Sequence, residues 1–383
     1  MTALIDAVRR EESAGTAERF PHHKFRTLLL SGNICGGCTV QDTYTGELLR
    51  FVCDAVLIAT GGLHGLFGDT TGSLANTGEV TAELFRLGVP MANLEMIQYH
   101  PTTVELGEKR MLLSEAARGE GGRLFALRNG KPWYFMEEKY PELGNLMPRD
   151  ITAREVWTVS RDYEVFLDMT ELPKEVMEHK LAGLVDDCQT YLHKDIRKEP
   201  IPILPGIHYF MGGIQVDERH RTSMRNLYAA GECCAQYHGA NRLGGNSLLG
   251  AIYGGQIAAE TACRETVSSP NMPCAEESLL PELSPDAQMQ MNRILLNALG
   301  VVRDAQTLEA GIQEIRKLSG TLPLLGCAML ESALARKESR GAHWRADYPQ
   351  RNDAVYCKTT VAHWNGQHIA ISFESIPERR HDL

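Results

Sequence analysis

The chain has 383 residues, 43% of them apolar and 23% charged, which is the composition of a globular protein large enough for more than one domain. Its 39 basic and 49 acidic side chains give a formal net charge of −10, which argues against nucleic acid as a partner. No apolar run is long enough to cross a bilayer and the N-terminus lacks a signal-peptide core, so we expect a cytoplasmic protein.

The first part of the chain predicts a helix followed by strands. Apolar residues recur on one face of residues 1–19, and residues 26–58 have the pattern of a β meander. The last of these strands, residues 55–58, is a continuous apolar run, which is typical of a central strand covered on both faces. It ends in Ala-Thr-Gly-Gly, where backbone at the carboxyl edge of a sheet can approach a ligand. A plain turn explains these four residues about equally well.

The next segment carries charged and imidazole side chains on predicted elements. A helix is predicted over residues 80–87. His100 precedes Pro101, and because proline disfavours helix in the residue before it, His100 should lie in extended backbone. Glu115 and Arg118 are three residues apart, which places them on one helical face. An exposed, salt-bridged surface is the plainer explanation for any one of these charges.

Two later segments place a cation or an imidazole where a ligand could bind. Pro148 should open a helix with Arg149 in its first turn. An arginine at the positive end of a helix is unfavourable, which predicts a local carboxylate partner or a bound anion. His208 lies in an apolar strand that runs into two glycines, a better than usual setting for a ligand contact.

Residues 226–260 are the most informative stretch. A short apolar strand over residues 227–230 leads into a glycine- and asparagine-rich loop holding Arg242, and then into a helix with many small residues. Glycine lets a ligand approach the backbone, and free N–H groups near Asn246 and Ser247 would attract an anion or a ring edge. A strand–loop–helix crossover without a ligand is the alternative, but an arginine among so many glycines favours binding.

The sequence HGANRLGGNSLL in this stretch resembles the signature of the succinate dehydrogenase and fumarate reductase flavoprotein family, which includes L-aspartate oxidase. The likeness covers nearly the whole chain, as far as SRGAHWR near the C-terminus. It implies an FAD-dependent oxidoreductase acting on CH–CH donors, which moves a hydride between FAD and a C4 dicarboxylate such as fumarate or succinate. The implied fold is an α/β, Rossmann-like but incomplete FAD-binding domain with an inserted α+β capping domain and a C-terminal helical domain.

The resemblance also implies roles for individual residues. Arg149 would be the proton donor, with Glu115 and Arg118 as its relay to solvent. A dianionic substrate needs fixed cationic donors at both ends. The residues implied at its two carboxylates are His208 with Arg242, and His100 with Ser114. The residues implied to contact FAD are Ala59, Thr60, Gly61, Gly62, Glu79, Glu232, Asn246, Ser247 and Leu248. No metal site is implied.

The likeness divides the chain into segments. Residues 1–97 would form part of the FAD-binding domain, residues 98–207 the capping domain that holds the substrate, and residues 208–266 the second part of the FAD-binding domain. Residues 267–284 are rich in serine, proline and glutamate and are typical of a linker. Residues 285–383 would form the C-terminal helical domain.

The family's GxGxxG fingerprint holds the ADP half of FAD, and no such sequence precedes residue 59 here. We therefore expect a truncated or split FAD-binding domain that binds little FAD alone. Its expected partners are a separate N-terminal FAD-binding fragment and an iron–sulfur electron-transfer subunit, with any attachment to the inner membrane face being peripheral. The alternatives are L-aspartate oxidase and a non-catalytic fragment or interaction subunit.

Overall fold

The computed structural model describes residues 2–107, 109–235, 237–265 and 282–376. Most of the predicted linker, residues 267–281, lies outside these described residues. Within them, no helix is both long enough and apolar enough to pass through a membrane.

The described residues form sixteen strands, most of them short and paired antiparallel. Their bounds are β1 His23–Ser31, β2 Ile34–Asp42, β3 Leu48–Val52, β4 Val56–Ile58, β5 Met91–Ala92, β6 Ile97–Leu106, β7 Lys109–Leu112, β8 Arg123–Arg128, β9 Lys131–Trp133, β10 Val165–Asp168, β11 Ile201–Pro202, β12 Leu204–Phe210, β13 Gly213–Ile214, β14 Leu227–Ala229, β15 Lys358–Trp364 and β16 Ile369–Ser375.

Eleven α-helices occur in the same described residues, with short 3-10 and π turns between some of them. Their bounds are α1 Thr2–Ala14, α2 Glu79–Arg86, α3 Ala116–Gly119, α4 Phe135–Lys139, α5 Arg149–Ser160, α6 Ala182–Asp187, α7 Asn246–Glu265, α8 Pro285–Ala298, α9 Ala305–Ile315, α10 Thr321–Ala335 and α11 Asp353–Tyr356.

The predicted β meander is wrong at its fourth strand. β1, β2 and β3 form an antiparallel three-stranded sheet. β4 leaves that sheet and pairs in parallel with β14, with Leu57 opposite Tyr228. Among the described residues β4 has no second neighbouring strand, and the Leu57 side chain is 42% exposed. An apolar run becomes a central strand only where partners lie on both edges, so the expected burial on both faces is not met here.

The middle of the chain builds its own hydrophobic core. β8, β9, β10 and β11 form one sheet, and β6, β7 and β12 form another. Nineteen buried apolar residues between Leu113 and Ile203 form a continuous cluster around these elements. This core falls inside residues 98–207, and the boundaries of the predicted capping domain stay a prediction.

The C-terminal segment is not wholly helical and shares the core of the first segment. Helices α8, α9 and α10 contribute Leu295, Leu308 and Leu325 to the same cluster as Phe85 of α2. β15 and β16 form a hairpin whose first strand pairs with β5. The last two strands thus complete a sheet begun by β5 and β13, and the bounds of the predicted C-terminal domain, residues 285–383, stay a prediction.

Two helices leave apolar faces uncovered. The amphipathic helix α1, which the sequence predicts, has no buried residue in the structure. Helix α7 buries only small residues, namely Gly250, Gly254, Ala258 and Thr261. Its large apolar side chains point away from the described residues, with Leu249 64% and Tyr253 56% exposed.

Candidate active site

Strands β6 and β12 bring two predicted imidazoles together. The register shifts by one residue between Ile207 and Tyr209, which turns His208 out of the regular ladder. The His100 and His208 rings then lie 5.3 Å apart at an angle of 71°. His100 is fully buried and its Nε2 has no hydrogen-bond partner, whereas His208 Nδ1 lies 2.8 Å from Thr71 Oγ1. One ring nitrogen of His100 is thus left for a group that enters the cleft.

Both imidazoles are neutral at neutral pH. Burial lowers the pKa of His208 to about 3, and the positive charges of Arg242 and Arg149 act in the same direction. Burial also lowers the pKa of His100 well below its usual range, and the neighbouring His208 lowers it further. Neutral imidazoles each offer one N–H donor and one acceptor, so they can hydrogen-bond an anion without adding charge.

Arg149 begins helix α5, directly after Pro148, as the sequence predicts. The carboxylate partner expected from its unfavourable position is Glu115: Arg149 Nη2 and Nε donate to Glu115 Oε2 at 2.8 and 3.1 Å. Arg149 Nη1 donates to Gln98 Oε1 at 3.1 Å. The guanidinium, 8% exposed in its side chain, is therefore fixed from two sides within the cleft.

Glu115 connects Arg149 to Arg118. The second oxygen of Glu115 accepts from Arg118 Nη2 at 3.0 Å across the single turn of α3. Burial alone would raise the pKa of Glu115, but Arg149 and Arg118 outweigh it and hold that pKa below its usual value. The Glu115 side chain is 38% exposed, whereas that of Arg118 is 1% exposed. The three charged groups are thus hydrogen-bonded in a row, and Glu115 in the middle is the one that meets solvent.

Arg242 faces the same cleft from the loop before α7. Its guanidinium lies over the Tyr209 ring at 4.4 Å from the centroid, and its buried Nε has no hydrogen-bond partner. Burial lowers the pKa of Arg242, and the charge of Arg149 lowers it further. Two buried guanidinium groups that repel each other are costly unless an anion lies between them.

Gly244 shows how closely the loop approaches the other cations. A Cβ on Gly244 would collide with Glu115 Oε2 and would lie 3.0 Å from Arg149 Nη2. Since Arg149 and Arg242 both lower the pKa of His208, all three side chains act on one another. The structure therefore places Arg149, His208 and Arg242 close together.

Three polar residues that the sequence interpretation omitted hold this arrangement together. Gln98 is fully buried, and its Nε2 donates to the Arg242 carbonyl at 2.7 Å and to Asn241 Oδ1 at 2.9 Å. Asn241 Nδ2 donates to Asp150 Oδ1 at 2.8 Å. Gln98 lies two residues before His100 on a strand, so the period of two places both side chains on one face. That alternation was the available signal for Gln98.

Ser114 occupies a more peripheral place than its predicted role suggests. It is exposed, and its hydroxyl accepts from the Ala116 amide at 3.3 Å at the start of α3. It directly precedes Glu115, so it lies at the rim of the cleft. Its contact with a substrate carboxylate stays a prediction.

The predicted cofactor residues at the end of β4 form a glycine cradle. Ala59 and Thr60 are exposed. Gly61 has φ +72°, and a Cβ there would lie 2.7 Å from Asn76 Nδ2. A Cβ on Gly62 would lie 2.5 Å from Glu232 Oε1, the oxygen that accepts from the Phe210 amide at 3.0 Å. A larger side chain at either position would force Asn76 or Glu232 to shift, so glycine lets these side chains lie close to the backbone here.

The start of α7 contributes the other predicted cofactor contacts. Asn246, Ser247 and Leu248 form its first turn, directly after Gly245 with φ +82°. The first turn of a helix has free N–H groups and a partial positive charge, which suit an anion or an electron-rich ring edge. The glycine cradle and this helix start fit the flavin half of FAD.

Glu79 is arranged differently from the other predicted cofactor residues. Its carboxylate accepts from Lys24 Nζ at 2.9 Å, and Lys24 also bonds Glu282 at 2.8 Å. Glu79 therefore has an ion-pair partner on β1, in a group of charges that the sequence did not predict. Its contact with FAD stays a prediction.

Comparison with protein families and known proteins identifies the family. Residues 1–248 match the FAD binding domain model, and residues 319–380 match the model of the fumarate reductase flavoprotein C-terminus. The succinate dehydrogenase flavoprotein subunit of Bacillus subtilis is 36% identical, over 97% of this chain and 73% of that protein. The L-aspartate oxidase of Pyrococcus furiosus is 36% identical, over 79% of this chain and 62% of that protein.

A solved structure shows the same overall arrangement. A mutant form of the FrdA chain of E. coli quinol fumarate reductase superposes with a TM-score of 0.85 at 26% identity, over 96% of this chain and 73% of that one. The chain thus spans between 62 and 73% of the length of these three proteins.

Proposed function

Because this chain belongs to the succinate dehydrogenase and fumarate reductase flavoprotein family of FAD-dependent oxidoreductases, we propose that its cleft interconverts fumarate and succinate. The proposal rests on one observation: Arg149, Arg242 and the neutral rings of His100 and His208 lie together, and His100 Nε2 has no hydrogen-bond partner. A small dianion would satisfy both guanidinium groups at once. A neutral substrate would leave the charge of buried Arg242 without a counter-charge from the ligand.

The four groups divide between the two ends of the dianion. His208 and Arg242 bind one carboxylate, since Arg242 Nε has no other partner and Arg242 acts directly on the pKa of His208. His100 and Ser114 bind the other carboxylate. Neutral histidines donate hydrogen bonds to carboxylates, while the arginines supply the opposing charge.

Proton delivery falls to Arg149. Reduction of fumarate adds a hydride to one alkene carbon and a proton to the other, so the chain must supply one proton per turnover. Arg149 donates hydrogen bonds from a fixed position, and Glu115 returns a proton to it from Arg118 and solvent. An arginine has a pKa above about 12, so it is an effective acid only toward a strongly basic carbanion and with immediate re-protonation.

The cofactor is FAD, which supplies the two-electron hydride chemistry when bound. The residues that would hold its flavin half are those of the glycine cradle and of the first turn of α7. The flavin would rest against the backbone at Gly61 and Gly62, and the amide of Ser247 in the first turn of α7 would meet its electron-rich edge.

Further polypeptide units would complete the cofactor side. The apolar face of α7, formed by Leu248, Leu249, Ile252 and Tyr253, is exposed beside the two-stranded sheet of β4 and β14. A surface of this kind favours a protein contact. We propose that a separate FAD-binding fragment covers this apolar face of α7. An iron–sulfur subunit would then connect the flavin to an electron carrier, and any attachment to a membrane would be peripheral.

L-aspartate oxidase is the second candidate, supported by the 36% identity to the Pyrococcus furiosus enzyme. The test is an assay of FAD-reconstituted protein for fumarate reduction by a reduced dye, for succinate oxidation, and for aspartate oxidation. Flavin absorbance must first establish that FAD is bound. We expect turnover of fumarate and none of aspartate. Turnover of aspartate alone would replace the proposal, and bound FAD without any turnover would favour the non-catalytic interaction subunit.

A further inference from the structure

The sequence SRGAHWR forms a tight loop that no step of the proposed reaction uses. We name residues 340–345 the strap. The Arg340 amide donates to the His343 carbonyl at 2.8 Å and the His343 amide returns a bond to Arg340 at 3.0 Å. Gly341 has φ +55° in this turn. Buried His343 Nδ1 lies 3.0 Å from Arg303 Nη1, and the Arg303 amide donates to the Trp344 carbonyl at 3.0 Å. The base of the strap is therefore rigid.

One side of the strap holds the loop that carries Arg242. The Ala342 amide donates to the Ala240 carbonyl at 2.9 Å. A Cβ on Gly341 would collide with that same carbonyl, so only glycine allows this approach. Ala240 and Ala342 also pack on the small apolar cluster that contains Tyr209, the ring beneath Arg242.

The other side of the strap holds helix α5. The guanidinium of Arg154 lies 3.9 Å from the centroid of the Trp344 ring, a favourable cation–π geometry. Arg154 lies five residues after Arg149, which is about 7.5 Å along the helix axis. A contact at Trp344 thus fixes the helix that presents Arg149.

We propose that the strap sets the separation between Arg149 and Arg242, with Trp344 as a positioning residue. The hydrogen bond from Asn241 to Asp150 links the two held parts directly, so strap, loop and helix form a closed triangle. The strap holds α5 and the loop of Arg242 whether or not a substrate is bound. Its effect on proton delivery rests on the proposed function. A misplacement of about 1 Å between reacting groups can cost roughly a hundredfold in rate.

The first test is hydrogen exchange of the ligand-free protein. Arg154→Met keeps the length of the side chain and removes the charge from the Trp344 ring. We expect exchange of amides in α5 and in residues 240–245 to become roughly two- to thirtyfold faster, with no change in the sheet of β8 and β10. Trp344→Leu should give the same result, and the double variant should add little to either single change.

Arg161→Met is the matched control. Arg161 lies over Trp157 at 5.3 Å, a pair confined to the end of α5 and its own helix. It should leave exchange at residues 240–245 unchanged. Unchanged exchange in both Arg154→Met and Trp344→Leu, or equal acceleration in Arg161→Met, would overturn the proposal.

The second test separates positioning from general stability. In FAD-reconstituted protein that turns over fumarate, Arg154→Met should lower kcat several-fold more than it raises KM, and a saturating dicarboxylate should restore the slow exchange of α5. A change in KM alone would overturn the positioning role of Trp344. If no form of the protein turns over fumarate, the proposed function fails while the ligand-free exchange result still decides whether the strap holds the helix.

Discussion

Around Arg149 and Arg242 most side chains are polar and buried, and many are bonded to one another, whereas around Gly61 and Gly62 the chain offers mainly backbone. The first region, the substrate half, is fixed by bonds through Gln98, Asn241 and Glu115. The second region, the cofactor half, has exposed residues at the end of β4 and an uncovered face on α7.

This difference shows what each half requires. A small dianion must be met by side chains whose positions and charges are set before it arrives, because reorganising buried charges is costly. A large flat cofactor needs backbone, space and a helix start. The substrate half is therefore built mainly from side chains, and the cofactor half mainly from backbone and a helix start.

The largest expected effect comes from removing the proton donor of the substrate half. Arg149→Met should lower kcat for fumarate reduction by roughly 10²- to 10⁴-fold, since it removes both an acid and a charge near the developing carbanion. Steady-state kinetics on FAD-reconstituted protein would measure it. The flavin absorbance of the variant should match that of the parent, because the cofactor half is unchanged.

The control is Arg161→Gln, on the exposed end of the same helix, which should leave kcat within about twofold of the parent, as for most surface substitutions. If Arg149→Met retained its turnover, another residue of the substrate half would have to be the proton donor. Loss of bound FAD in Arg149→Met would show that the two halves are not independent.

The substrate half could largely be predicted from the sequence, and the reasons are local. Pro148 predicts where α5 begins, and the cost of Arg149 at that position predicts a carboxylate, which is Glu115. The convergence with His208 could not be derived from spacing, because it depends on a register shift between β6 and β12. Only the family resemblance indicated it.

The cofactor half was harder to predict from the sequence. An apolar run such as β4 is the same whether one or two strands lie beside it, so its exposed edge could not be foreseen. Helix α2 begins at Glu79, one residue before the predicted start, and the ion pair of Glu79 with Lys24 joins residues 55 positions apart. Long-range pairs of surface charges leave no periodic signal in a sequence.

A smaller effect is expected from narrowing the glycine cradle. In Gly62→Ala, the added Cβ would lie 2.5 Å from Glu232 Oε1, so either the carboxylate or the strand end must move. We expect FAD to bind roughly ten- to a hundredfold more weakly, from an overpacking cost of about 1–3 kcal/mol. Quenching of flavin fluorescence on titration would measure the affinity.

Gly183→Ala is the matched control, because a Cβ on Gly183 has no atom within 4 Å and lies on α6, far along the chain from the cradle. It should bind FAD like the parent. If Gly62→Ala also bound FAD normally, the end of β4 would not lie against the flavin, and the contrast between a backbone-lined and a side-chain-lined half would fail.

The smallest effect concerns the acid stability of the substrate half. The pKa of His208 falls to about 3 on burial, against about 6.5 in the unfolded chain, so between these values only the unfolded chain binds the proton. Stability that is complete above pH 6.5 is therefore lost as the pH falls toward 3, by up to about 1.4 kcal/mol per pH unit. In His208→Asn, the free energy of unfolding should fall less steeply as the pH is lowered, by that amount per pH unit. His179→Asn, at an exposed site, should not change this slope. Denaturant unfolding at pH 7, 6 and 5 would measure both slopes. If the slope in His208→Asn were as steep as in the parent, His208 would be protonated in the folded chain. Its part of the substrate half would then be more accessible to solvent than its hydrogen bonds indicate.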